Sequence, residues 1–300
     1  MQPEREASAV IRVDPERALR RLTDDASARR WTQWNLRFVR VDDSPRTNAW
    51  ALLTALEQQL ARASEPVWMW FVRKLPDLRV RVGGPGLTNS MRAQLRDLME
   101  AEQAAGRVDE AAPAVYEPEL FRLGGPALID AVHALFDADT RAYMAWQRID
   151  RSDGARLSGE LMSLCLAGDL IERATESSEE TWDVWCRLAR LYGGALPTPS
   201  PRKRPRLVPA SLRSFASEGE QAVLDRALRA QAEFVARLDA VAARGALTCG
   251  RRGLLGALAA FHWNRWCLRE ATIASLCASM VRDLHPDNDY RCDDDEEPSR

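Results

Sequence analysis

Two β-forming runs set four residues apart constrain this fold more than any other feature of the chain. Residues 67–73 (VWMWFVR) and 78–82 (LRVRV) are both rich in β-branched and aromatic side chains, and a short turn at Leu75-Pro76-Asp77 joins them. The first run is apolar enough to predict a central strand. The second alternates, with Leu78, Val80 and Val82 on one face and Arg79 and Arg81 on the other. Gly83-Gly84-Pro85-Gly86 then breaks the strand.

The flanking segments complete a unit around this pair. Residues 33–41 (QWNLRFVRV) predict an earlier strand, with Leu36, Phe38 and Arg40 on one face. Residues 45–63 carry Trp50, Leu53, Leu56 and Leu60 at helical spacing, residues 89–105 predict a second helix, and residues 113–116 a fourth strand. The order β-α-β-β-α-β is that of a split βαβ, or ferredoxin-like, unit. After Pro126 the pattern turns almost wholly helical, with helices predicted over 127–146, 155–174, 179–191, 218–243 and 254–284. The expectation is an α+β chain: a segment 1–30, a body 31–284 with its sheet part at 31–126 and a helical bundle at 127–284, and an acidic tail at 285–300. That tail holds seven acids and almost nothing apolar, so it reads as disordered. Residues 196–209 (LPTPSPRKRPRLVP) read as an exposed proline-rich loop, with Arg202, Lys203, Arg204 and Arg206 crowded together.

Composition excludes more than it assigns. Lys+Arg 42 against Asp+Glu 44 gives a net charge of -2, so no general electrostatic case for nucleic-acid binding exists. No apolar run is long enough to span a membrane, no signal-peptide core opens the chain, and the six cysteines include no CxxC pair. A cytoplasmic protein with reduced thiols, and neither metal nor cofactor, is expected. P-loop, GxGxxG, GxSxG and HExxH patterns are all missing, which disfavours ATP hydrolysis, hydride transfer, serine hydrolysis and zinc chemistry.

The candidate functional residues are few. Of three histidines, His133 lies in an apolar helical run (IDAVHALF) and reads as a core or surface residue, and His285 ends the last predicted helix, where a cation suits the dipole. His262 opens HWNRWCLRE, which puts His262, Arg265 and Arg269 on one helical face. Beside two arginines its charged form is disfavoured, which suits a neutral base, but the residues alone favour a structural role. Arg79 and Arg81, like charges on one strand face, want an anion between them, and guanidinium forks suit a carboxylate or phosphate. Glu119 and Arg122, three apart before Gly124-Gly125, have the spacing of a local ion pair.

Together FVRK-LP-DLRVRV, YEPELFRLGGP followed by LFDADT, and the late FHWNRW resemble the thiopeptide-type bacteriocin biosynthesis family, over about residues 31–284. That family includes the elimination domain of class I lanthipeptide dehydratases, its stand-alone form, and the related pyridine-forming cycloaddition enzymes. The resemblance implies catalytic roles for His262, Arg81 and Arg122, and substrate-binding roles for Arg79, Glu119, Arg73 and Arg265. It implies a lyase that removes glutamate from glutamylated Ser or Thr of a ribosomal precursor peptide, leaving dehydroalanine or dehydrobutyrine. Such a stand-alone subunit would work with a separate tRNA-dependent glutamylating subunit, without binding nucleic acid itself, and homodimerisation is compatible with it. The alternatives are a cycloaddition that joins two dehydroalanines into a pyridine, and a non-catalytic partner that binds the precursor peptide. The departures are Arg73-Lys74 for the family's Arg-Tyr, Asp77 for its histidine before the arginine strand, Leu123 for its tyrosine, and FDADT for its FHADS. Asp77 is expected to weaken the anion-attracting field near Arg79, whereas retention of Arg122 favours elimination over cycloaddition.

Overall fold

The computed structural model describes residues 31–149, 157–193 and 209–286. The segment 1–30, the acidic tail from residue 287 and the basic cluster at 202–206 lie outside the described residues.

The first half is β1 (Trp31–Phe38), α1 (Arg46–Leu60), β2 (Trp68–Lys74), β3 (Asp77–Gly83), α2 (Asn89–Ala104) and β4 (Val108–Ala114). The strands form one antiparallel sheet in the order β2-β3-β1-β4. Each βαβ crossover therefore skips a strand, which is the ferredoxin-like arrangement the element order predicts. The helical half follows as α3 (Ile129–Gln147), α4 (Gly159–Ala174), α5 (Ser178–Leu191), α6 (Pro209–Arg213), α7 (Glu218–Ala243), α8 (Arg251–Arg265) and α9 (Glu270–Asp283).

Strand alternation gives the sheet two chemically different faces. Trp34, Leu36 and Phe38 of β1, Met69 and Phe71 of β2, and Leu78, Val80 and Val82 of β3 bury against Leu52, Leu53, Leu56 and Leu60 of α1 and Met91, Leu95 and Met99 of α2. The opposite face carries Trp31, Gln33 and Asn35, Trp70 and Val72, and Arg79 and Arg81, by the cross-strand pairs Gln33–Arg81, Asn35–Arg79, Trp70–Arg81 and Val72–Arg79. Trp31, Trp70 and Val72 join a second core with Ile129, Val132, Leu135 and Phe136 of α3. At Gly83 a Cβ atom would stand 2.2 Å from the Trp31 ring, so glycine is what lets that indole lie across β3.

Three expectations about elements are corrected. β2 is an edge strand, not a central one. Its apolar character is tolerable because side chains of the helical half occupy its open edge: Asp137 accepts from the Met69 N–H at 2.8 Å, Arg141 donates to the Val67 carbonyl, and Asn264 accepts from the Arg73 N–H at 2.6 Å while donating to its carbonyl at 3.0 Å. The fourth strand begins at Val108, earlier than predicted, because VDEAAPA has little β-propensity and is held as a strand by pairing with β1. The long helix predicted over 254–284 is two helices, broken at Cys267, whose φ of 60° is left-handed. Two smaller differences follow. Arg269 is the N-cap of α9 and so does not share a helical face with His262, and Arg40 lies beyond the end of β1.

Candidate active site

Arg81 is the centre of the polar face of the sheet. Its guanidinium lies over the Trp70 ring, 4.2 Å from the centroid, and over the Tyr116 ring at 4.8 Å, and its Nε donates to Gln33 Oε1 at 2.7 Å. Gln33 is itself oriented by donating to Asn35 Oδ1 at 3.1 Å. No carboxylate among the described residues pairs directly with Arg81, and its Nη1, like Nε of Arg79, is buried without a hydrogen-bond partner. Burial lowers the Arg81 pKa to about 10, aided by Arg79 and opposed by Tyr116 and Glu119. A desolvated guanidinium with an unsatisfied donor is set up to receive an anion.

Asp77, expected to weaken this field, is taken up elsewhere. Its carboxylate accepts from the Phe38 N–H at 2.9 Å and from Arg40 at 2.9 Å.

Tyr116 leads from β4 into the loop that carries Glu119 and Arg122. Those two form an exposed ion pair at 2.7 Å, beside the largely exposed Phe121. The loop is tied to the turn before α8: Thr248 Oγ1 donates to the Phe121 carbonyl at 2.8 Å and Cys249 Sγ to the Arg122 carbonyl at 3.4 Å. Gly125, with φ of 90°, lets the loop pass Thr248, whose Cγ2 would stand 2.5 Å from an added Cβ.

His133, read from sequence as a core or surface residue, is part of this cluster. It is buried, its Nε2 is 2.8 Å from the Tyr116 hydroxyl, and its ring is 4.3 Å from that of Trp31. Its Nδ1 has no partner. Burial, and then Arg81, push its pKa down to about 3, so the imidazole is neutral at physiological pH. The signal that would have found it is the density of aromatic residues on the facing strands.

The remaining candidates occupy a separate buried network. Asp139 of α3 accepts from Arg265 Nε at 2.6 Å and Trp266 Nε1 at 2.9 Å, and is 2.7 Å from His262 Nδ1. Burial alone would raise this carboxyl, but the charges of His262 and Arg265 and the hydrogen bonds overcome it and hold it well below the usual range. His262 Nε2 is 2.8 Å from Ser163 Oγ and 3.1 Å from the Ser163 carbonyl, so both ring nitrogens are engaged. Arg265 is 1% exposed, with its guanidinium 4.5 Å from the Phe136 centroid, and its influence on Arg81 is electrostatic. Arg265 therefore reaches no open surface, contrary to the expectation of direct substrate contact.

Arg73 is also displaced from the expected grouping. Its cross-strand partner is Leu78, so it lies on the face of the sheet opposite Arg79 and Arg81. The structure thus brings Arg81, Arg79, Tyr116, His133 and the Glu119–Arg122 loop to one face, fixes His262 and Arg265 beneath, and sends Arg73 elsewhere. Among the described residues no cluster of three or more His, Cys, Asp or Glu could hold a metal ion, the cysteines are unbonded, and no helix is long and apolar enough to cross a membrane.

Comparison with known proteins identifies the family and the fold. Residues 34–282 match the family described as lantibiotic biosynthesis dehydratase, C-terminal. Among solved structures, the tRNA-dependent lantibiotic dehydratase MibB from Microbispora sp. 107891 superposes with a TM-score of 0.63 at 20% identity, over 87% of this chain and 28% of that one. TbtD, a pyridine synthase from thiomuracin biosynthesis, superposes with a TM-score of 0.50 at 14% identity, over 85% of this chain and 97% of that one. The sequence matches no curated protein.

Proposed function

Since the chain belongs to the lantibiotic biosynthesis dehydratase C-terminal family, we propose that it eliminates glutamate from glutamylated Ser or Thr of a ribosomal precursor peptide. The observation that carries this reading is Arg81: a half-buried cation whose Nη1 is buried without a partner, with Arg79 beside it and the Glu119–Arg122 pair on the adjoining loop. In the elimination a base removes the Cα proton, its electron pair forms the Cα–Cβ double bond, and the Cβ–O bond breaks to release glutamate as a carboxylate. Developing negative charge on the enolate-like centre and on the departing carboxylate needs fixed cations in a dry setting. Arg81 and Arg79 supply them, Arg122 extends them to the loop, and Glu119 is placed to meet the glutamyl ammonium group or to hold Arg122.

Proton transfer is assigned to His262 by resemblance. With Nε2 on Ser163, that ring serves as a base only if the Ser163 contact opens; while the contact holds, His262 and Arg265 act as positioning residues through Asp139. The reading includes a cytoplasmic setting and a separate glutamylating subunit that supplies the substrate.

A second reading, cycloaddition of two dehydroalanines into a pyridine, is favoured by one observation. The fold of this chain is shared with TbtD, a pyridine synthase, as well as with MibB. Mass-spectrometric turnover of a glutamylated precursor peptide beside the already dehydrated one separates the two. Glutamate loss from the first, abolished by Arg81→Ala, supports elimination. Ring formation in the second, with the first unchanged, replaces it with cycloaddition.

A further inference from the structure

On the far side of the sheet from Arg81, a cavity of about 580 Å³ opens between α1, α3, the start of α4 and the turn joining α8 to α9. That volume lies within the roughly 300–1,000 Å³ of ligand sites. Its lining includes four aromatic rings, those of Trp50, Tyr143, Trp146 and Trp266, together with Arg46 and Arg73.

Neither arginine forms an ion pair with a described carboxylate. Arg73 donates to the Tyr143 hydroxyl at 3.0 Å and lies against the Phe71 and Tyr143 rings, while its Nε is buried without a partner. The guanidinium of Arg46 contacts Cys267 Sγ at 3.8 Å. The acid in the lining, Glu160, is held by its own backbone N–H and the Ser158 hydroxyl and lies in the field of Arg269, and it forms no ion pair with Arg46 or Arg73. The cavity therefore sets two guanidinium groups without carboxylate partners among its aromatic rings.

The rings are not set as a slot. Trp146 and Trp266 are inclined at 40°, and Tyr143 meets Trp266 nearly edge-on at 75°. A cup of inclined rings suits a bulky aliphatic or aromatic side chain better than a flat nucleobase, which wants parallel faces.

We infer that this cavity is a second recognition site for the peptide substrate, taking a stretch in which an acidic side chain reaches Arg46 and Arg73 while a neighbouring apolar side chain fills the cup of Trp50, Trp146 and Trp266. The inference rests on the peptide-substrate reading above but not on the chemistry performed at Arg81. The bound stretch lies apart from the reacting residue, so the site holds the chain while successive residues are presented on the other face.

The test uses the full-length protein and a capped tetrapeptide of two aspartates flanking leucine and phenylalanine, titrated by calorimetry and by tryptophan fluorescence. Binding is expected to weaken about tenfold or more in Arg46→Gln and in Arg73→Gln, and again when lysines replace the aspartates of the peptide. Arg46 is exposed at the start of α1, so Arg46→Gln keeps the fold, and unchanged thermal unfolding verifies this. Absence of binding, equal binding of the lysine peptide, affinity unaltered in both variants, or stronger binding of AMP than of the acidic peptide overturns the proposal. None of these readouts involves turnover, so a protein that binds the peptide but eliminates no glutamate refutes the proposed reaction and leaves this site standing.

Discussion

Replacing Asp139 with asparagine keeps the shape of the side chain and removes its charge, and the structure fixes what that costs. Arg265, 1% exposed, has only this carboxylate to balance it among the described residues, while Trp266 and His262 point at the same group. An amide oxygen can accept from one side, but the amide nitrogen turns a donor toward another donor. Leaving a buried charge without its partner costs about 3–5 kcal/mol. For a chain of this size, at roughly 2 °C per kcal/mol, that is a fall in Tm on the order of 6–10 °C. Differential scanning calorimetry and urea unfolding of Asp139→Asn give both numbers. The decisive measurement is the cycle with Arg265→Met. Because burying neither charge is close to neutral, the double variant should recover at least about 2 kcal/mol relative to the sum of the single changes. A single-variant loss below about 1 kcal/mol, or strict additivity, refutes the claim that this pair ties α3 to α8.

Four further outcomes are expected. His133 has a folded pKa near 3, below the unfolded value of about 6.5, so the unfolded chain binds more protons in that interval and stability falls as pH drops through it, by up to ~1.4 kcal/mol per pH unit; His133→Gln should flatten the curve of urea midpoint against pH between 6.5 and 4. Ser163→Ala removes the hydroxyl from Nε2 of His262 and leaves the backbone carbonyl contact, so glutamate release followed by mass spectrometry should be retained or faster if His262 takes the Cα proton, and unaffected removal in His262→Ala would exclude that role. Gly83→Ala drives a methyl into the Trp31 ring and should cost about 1–3 kcal/mol by urea unfolding, with Gly106→Ala, which meets nothing within 4 Å, as the comparison for ordinary glycine strain. Asn264→Leu leaves the Arg73 N–H and carbonyl unpaired and should cost about 1–3 kcal/mol while accelerating exchange of the Arg73 amide.

The two-faced sheet was legible because LRVRV alternates and its neighbours lie within a few tens of residues. The placement of Arg73 was not, since the side of the sheet it takes depends on the β2–β3 register, and Leu78 rather than Arg79 is its partner. Likewise the partners of His262 are Asp139 and Ser163, 123 and 99 residues away, and no local pattern announces such distant hydrogen bonds. The edge position of β2 misled for a related reason. Composition reports how dry a strand is, and β2 is dried by helices rather than by strands on both sides. His133 is not distinguished by the sequence because an isolated histidine in an apolar helix looks the same whether or not a tyrosine hydroxyl and an arginine meet it.

The stapled edge of β2 also imposes an order of events during synthesis. Asp137 follows Met69 by 68 residues, but Asn264 follows Arg73 by 191. At roughly 5–20 residues per second, the C-terminal end of β2 waits about 10–40 s on the ribosome for its cover. For that interval WMWFVRK is an apolar ribbon with one open side, the kind of surface that pairs with a neighbouring nascent chain or engages a chaperone. A ribosome-stalled chain ending at residue 250 should therefore cross-link to chaperones through β2, and one carrying α8 through to α9 outside the exit tunnel should not.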